Sequence, residues 1–98
     1  MTAKALLNSE GLIQLSGELK FPVIVQLRKQ LEEILKTVSG SVQIDFSGVT
    51  SSDSSALSLW MCCLRYADSV GANIEPINVP EEMAAFAHLV GLDKHLAS

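Results

Sequence analysis

VQIDFSGVTSSDSSALSLWMCCLRY, residues 42–66, changes character twice. It opens as a strand. Val42, Ile44 and Phe46 alternate with Gln43 and Asp45, and β-branched and aromatic side chains suit a pleated surface. Gly48 then interrupts the run, and Ser47, Thr50, Ser51, Ser52, Asp53, Ser54 and Ser55 gather small polar groups. From Ala56 the chain is apolar and helix-compatible. The stretch therefore predicts a strand, a hydroxyl-rich loop and a helix N-terminus. Such a turn collects unpaired backbone N–H groups at the positive end of a helix. A site for an anion, or a serine presented for modification, is expected there before anywhere else in the chain.

On the N-terminal side, Ala5–Leu7 and Leu12–Leu15 flank Asn8, Ser9, Glu10 and Gly11, a pattern that predicts a β-hairpin with Gly17 ending its second strand. Pro22 stands where a helix can begin at no hydrogen-bonding cost. Ile24, Leu27, Leu31, Ile34, Leu35 and Val38 follow at helical spacing, opposite Arg28, Lys29, Glu32, Glu33 and Lys36, and Ser39-Gly40 supplies the stop. On the C-terminal side, a helix from Ser54 or Ser55 to Val70 stops at Gly71. A short strand, Asn73–Ile77, follows. Pro80-Glu81-Glu82 then starts a last helix with Met83, Phe86, Ala87, Leu89 and Val90 on its apolar face. Gly91 closes that helix, and Leu92–Ser98 forms a short tail. The order β-β-α-β-α-β-α predicts one α/β domain over residues 1–98. Its four-stranded sheet is mixed, parallel across the two crossovers and antiparallel at the opening hairpin.

The 98 residues are 48% hydrophobic, with mean hydropathy +0.31, net charge −4 and pI about 4.9. A nucleic-acid partner is disfavoured, because a phosphate backbone needs a basic patch and the seven basic residues are scattered. Charge-driven lipid binding is disfavoured for the same reason. No apolar run approaches the roughly 18 residues of a membrane span, and MTAKALLNSEGL carries no secretory pattern. Direct membrane insertion is not expected. Cys62 and Cys63 are adjacent on a helix, diverge, and fit a reducing cytoplasm better than a disulfide scaffold. His88 and His95 match no zinc spacing. No Gly-x-Ser-x-Gly elbow, positioned base or phosphate-binding glycine loop is present, so the sequence predicts no enzyme, no cofactor and no metal.

The second helix is unusual. Ser54, Ser58, Arg65, Ser69 and Ala72 fall near one narrow stripe, while Leu57, Leu59, Trp60, Met61, Cys62, Cys63, Leu64, Tyr66, Ala67 and Val70 fill the rest. A helix apolar nearly all round is buried on two sides or touches a partner, and a small domain has little interior. A partner surface on its flank is expected, with Trp60 itself reading as core. Ser54 and Ser55 also read as a plain helix N-cap, and Asp53 as a capping or loop-ordering carboxylate that stays ionised.

Ile44-Asp45-Phe46-Ser47-Gly48-Val49, then Asp53-Ser54-Ser55, then an apolar helix ending before Gly71-Ala72-Asn73, resembles the STAS domain family over essentially the whole chain. Gly17-Glu18-Leu19 resembles that family's Gly-(Glu/Asp)-Leu after the second strand. Two branches follow from the resemblance. In anti-sigma factor antagonists a partner kinase phosphorylates the second serine after the aspartate, by position Ser55, and phosphorylation releases the partner. In the small cytoplasmic subunit of Mla-type ABC systems, which move phospholipids between the membranes of Gram-negative bacteria, a hydroxyl directly after the aspartate docks on the ATPase, by position Ser54. Ala56, where many antagonists have glycine, together with the very apolar helix and the stretch Gly71–Leu96, tilts the resemblance to the transporter subunit. It implies an ABC-type ATPase partner with its permease, a cytoplasmic place on the inner-membrane complex, and a contact surface of Thr50, Ser52, Asp53, Ser54, Ser55, Leu57, Ser58 and Met61. Ser55 or Ser54 is the phosphoacceptor in the other branch, whose partner is an anti-sigma factor kinase.

Overall fold

The computed structural model describes residues 3–38 and 40–89. The order is β1 (Ala3–Leu7), β2 (Leu12–Leu19), α1 (Val23–Leu35), β3 (Gly40–Ser52), α2 (Ser54–Ser69), β4 (Ala72–Ile77) and α3 (Glu81–Leu89). The sheet runs β1-β2-β3-β4, with β1 antiparallel to β2 and β2, β3 and β4 mutually parallel. This is the mixed α/β sheet expected. Gly91, the tail Leu92–Ser98, His95, Val90 and Ser39 lie outside the described residues.

Local chemistry places each element. The hairpin turns at Asn8, whose side-chain oxygen accepts the N–H groups of Glu10 (2.9 Å) and Leu12 (3.0 Å), an Asx turn. Two successive crossovers in the same direction put their helices on one face of the sheet. Alternation then decides burial. Ala3, Ala5, Ile13, Leu15, Val42, Ile44, Phe46, Ala72 and Ile74 turn inward, while Lys4, Gln14, Gln43, Asn73 and Glu75 stay outside. Leu27, Leu31 and Leu35 of α1 and Met83 and Ala87 of α3 cover the inner face on either side of α2. Phe46 and Trp60 meet edge to face, with centroids 5.7 Å apart.

Three expectations are corrected. First, α1 ends at Leu35, so Val38 packs from the connection, and Pro22 stands at the N-cap position rather than inside the helix. Second, β2 does not stop at Gly17 but continues to Leu19. Third, the hydroxyl-rich segment is not a loop: β3 runs through it to Ser52, still paired with β2. The pairing survives through two register shifts, one of them beside Gly48. A Cβ at Gly48 would stand 2.7 Å from the Leu15 carbonyl oxygen, so the strand passes there only because the residue is glycine. Gly48 therefore prolongs the strand it seemed to break.

The apolar excess of α2 also has an internal explanation. Flanked by α1 and α3 and laid on β4, the helix buries Ala56, Leu57, Leu59, Trp60, Cys63 and Ala67. Ser54, Ser58, Arg65, Asp68 and Ser69 remain as the exposed strip. Ala72, placed with that strip on sequence, is a buried residue of β4. The helix stops where expected, at Gly71 with φ +75°, a conformation side chains rarely adopt.

Candidate functional site at the junction of β3 and α2

The junction is a short hinge between a fixed strand and a fixed helix. Ser52 pairs with Leu19 at the end of the parallel ladder, and the Asp53 N–H still reaches the Leu19 carbonyl at 3.2 Å. Asp53 is extended (φ −122°, ψ −170°) and is the N-cap of α2. Its carboxylate accepts the Ser55 N–H at 2.9 Å, the Ser55 hydroxyl, and the Phe21 N–H from the segment between β2 and α1. One side chain thus ties the starts of both helices together. The Ser55 hydroxyl, with help from the two N–H groups and the nearby Lys20 charge, holds the Asp53 carboxyl below its ordinary range against the opposing effect of burial.

That arrangement is poor for catalysis. A carboxylate so stabilised is a weak base, and the Ser55 hydroxyl that donates to it is not activated as a nucleophile. Cys63 is buried and its thiol is pushed up to about 12, mainly by desolvation, so it is a small hydrophobe in practice. Among the described residues no group of three His, Cys, Asp and Glu side chains is placed to hold a metal ion.

The residues expected to form one contact surface divide. Ser54, the first helical residue, and Ser58, one turn on, are exposed, and Thr50 is exposed near the end of β3. Ser55 is half-buried by its bond to Asp53. Ser52 is buried, its hydroxyl without a hydrogen-bond partner among the described residues, and Leu57 is 8% exposed in the core. Neither offers a contact, because Ser52 alternates inward on the continued strand and Leu57 belongs to the buried core cluster. Met61 lies on the other flank of α2, lining a cleft with Leu64, Arg65 and Ile74. The cap is Asp53 rather than either serine.

Ser55 and Ser58 instead line a groove of about 370 Å³ with Leu59 and Cys62 of α2, facing Phe21, Ile24, Val25 and Arg28. Phe21 is 71% exposed and Val25 47%. Sequence reasoning missed both. Val25 does carry a signal, since it falls off the stripe of Leu27, Leu31 and Leu35.

A family model described as Mlab, STAS domain matches residues 3–98. The chain belongs to the STAS domain family. No curated protein matches it at a significant level. Among solved structures, this STAS domain resembles the anti-sigma factor antagonist SpoIIAA in its unphosphorylated form, at 16% identity and TM-score 0.66 over 90% of this chain and 83% of that one. The phosphorylated form of the Bacillus cell fate determinant SpoIIAA gives 18% identity and TM-score 0.68, over 95% and 86%. It is also similar to part of the murine anion transporter Slc26a9, at 14% identity and TM-score 0.63 over 81% of this chain and 14% of the transporter. At these identities the likenesses establish the fold. Among the described residues no helix is long and apolar enough to cross a membrane.

Proposed function

We propose that this STAS domain is a non-enzymatic accessory subunit that docks on the ATPase of a phospholipid-transporting, Mla-type ABC complex and supports its assembly and activity. Its place is cytoplasmic, peripheral on the inner-membrane complex. The observation that carries the reading is the first turn of α2. Ser54 is exposed there, and the turn behind it is fixed by a carboxylate with three donors. A rigid, exposed hydroxyl next to apolar side chains suits a docking contact, since little is lost in ordering it. The description of the matching family model, Mlab, agrees with this branch.

A second reading has its own support in the Ser55 hydroxyl, which donates to Asp53. In a switch of the anti-sigma factor antagonist type, phosphate on Ser55 would remove that donor and set two or nearly two negative charges beside a carboxylate. The cap would open and the docking surface would change with it.

The separating experiment is affinity purification of the tagged protein from its own host in mild detergent, followed by mass spectrometry. The first reading predicts an ABC ATPase and its permease. A small kinase-like anti-sigma factor, with added phosphate on the Ser54–Ser55 peptide, would replace it with the second.

A further inference from the structure

β1 is one of the two edges of the sheet, and two bonds fix which way its main chain faces. The Asn8 N–H reaches the Leu12 carbonyl at 2.9 Å, in step with the register that pairs Leu6 with Gln14 and Lys4 with Ser16. Backbone groups alternate in direction along an antiparallel strand, so Lys4 and Leu6 also turn toward β2, and Ala3, Ala5 and Leu7 turn outward. The Ala5 N–H agrees: it donates to Gln30 Oε1 of α1 at 3.0 Å. Beyond β1 no further strand follows among the described residues. Where a neighbouring strand would bring a main-chain carbonyl, Gln30 brings a side-chain one.

The two edges are blunted by different means. β4 carries Pro76, which has no N–H to offer an added strand. β1 has no proline, and Leu6 (62%) and Leu7 (41%) are exposed along it. Its guard is Gln30, an exposed side chain over a cleft of about 530 Å³ lined also by Lys4, Leu6, Glu33 and Ile34. A row of outward main-chain donors and acceptors calls for another extended backbone. β1 is also complementary to itself. Set antiparallel across a two-fold axis at Ala5, the middle residue of the strand, all five residues pair: Ala5 with the second copy's Ala5, and Ala3 with its Leu7 in both directions. Lys4 then stands opposite the second copy's Leu6 rather than its Lys4, so like charges are not set opposite each other and the lysine stem covers an exposed leucine. Such a pairing closes both β1 edges at once.

We infer that β1 is the edge at which a second copy of this chain adds as an antiparallel strand, and that the Gln30 carboxamide keeps that edge closed by holding the Ala5 N–H. This is independent of the docking proposed above, which uses the first turn of α2. Each copy gives up one side-chain hydrogen bond on pairing, so the guard sets the strength of self-association rather than forbidding it.

The test is sedimentation equilibrium over a concentration series, on the wild type, Gln30→Ala, Gln30→Met, Gln30→Glu and the double variant Gln30→Met/Leu7→Pro. Methionine keeps the length of the side chain without its amide, and glutamate keeps an acceptor for the Ala5 N–H. Proline at position 7 removes an outward N–H and no bond to β2. Melting curves establish that each variant is folded, which the exposed position of Gln30 should permit. Gln30→Ala and Gln30→Met are expected to tighten dimerisation by about tenfold or more, with Gln30→Glu no tighter than the wild type and the double variant weakened again. Folded Gln30→Ala and Gln30→Met that associate no more than the wild type overturn the inference. Tightening that Leu7→Pro leaves intact places the contact elsewhere and overturns β1 as the edge. Equal tightening by Gln30→Glu overturns the role of the acceptor.

Discussion

Asp45-Phe46-Ser47 and Asp53-Ser54-Ser55 are the same local device built twice. In each, the carboxylate accepts the N–H and the hydroxyl of the serine two residues on, and a third donor comes from another element: Asn78 Nδ2 at 2.9 Å for Asp45, the Phe21 N–H for Asp53. The surroundings differ. Asp45 is buried on β3 beneath Asn78, which holds a left-handed conformation (φ +56°) after β4. The residue between its aspartate and serine is Phe46, a core side chain packed edge to face on Trp60. Asp53 sits at a helix start, and the residue between is Ser54, exposed. The first copy latches the sheet; the second fixes a turn whose middle residue faces outward. The motif supplies rigidity in both, and only what occupies its middle position makes one of them a candidate contact.

Removing the carboxylates should separate the two roles. Asp45→Ala leaves three partly buried donors without their acceptor and is expected to cost about 2 kcal/mol, measured by urea unfolding. Asp53→Ala removes a cap that water can partly replace and should cost about 1 kcal/mol. Equal losses would mean that the burial difference does not matter. The acid limb sharpens the same contrast. Asn78 first, then Ser47, holds the Asp45 carboxyl below its ordinary range against burial, and Ser55 first does so for Asp53. A depressed folded-state pKa contributes stability above the ordinary carboxylate pKa of about 4, lost as pH falls through the lower folded value. Unfolding from pH 7 downward should therefore show the wild type losing its advantage over Asp45→Asn below about pH 4, with the curves parallel above it. A gap that stays constant through that range would show that proton linkage at Asp45 is absent. The smallest effect is expected at Ser54→Ala, within about 0.5 kcal/mol of wild type by the same unfolding assay.

Much of this fold is written locally. The Asn8 turn, the stripe of Leu27, Leu31 and Leu35, the stop at Gly71 and the order of elements all follow from short-range chemistry, and the STAS resemblance agrees with them. What was hidden depends on partners distant in sequence. Residues 47–52 look like a loop, yet they continue β3 because β2 continues beside them to Leu19 and Gly48 admits the close approach. Leu57 looked available because the burial of α2 by both neighbouring helices is a tertiary fact. The same holds for Asp45, whose alternation places it outside while Asn78 covers it. At the site, the Asp53-Ser54-Ser55 turn was legible from residue type and position. The Phe21–Val25 rim was legible only in part: Val25 falls off the buried stripe of α1, whereas nothing local marks Phe21, which precedes the helix, as exposed.

The central claim is that the first turn of α2 is a docking surface separable from the fold. Its most direct test is equilibrium binding of wild type and Ser54→Arg to the purified ATPase subunit, with melting curves of both. Superimposable melting, with binding by the wild type alone, is expected. A Ser54→Arg variant that melts like the wild type and binds the ATPase with the same affinity would contradict it.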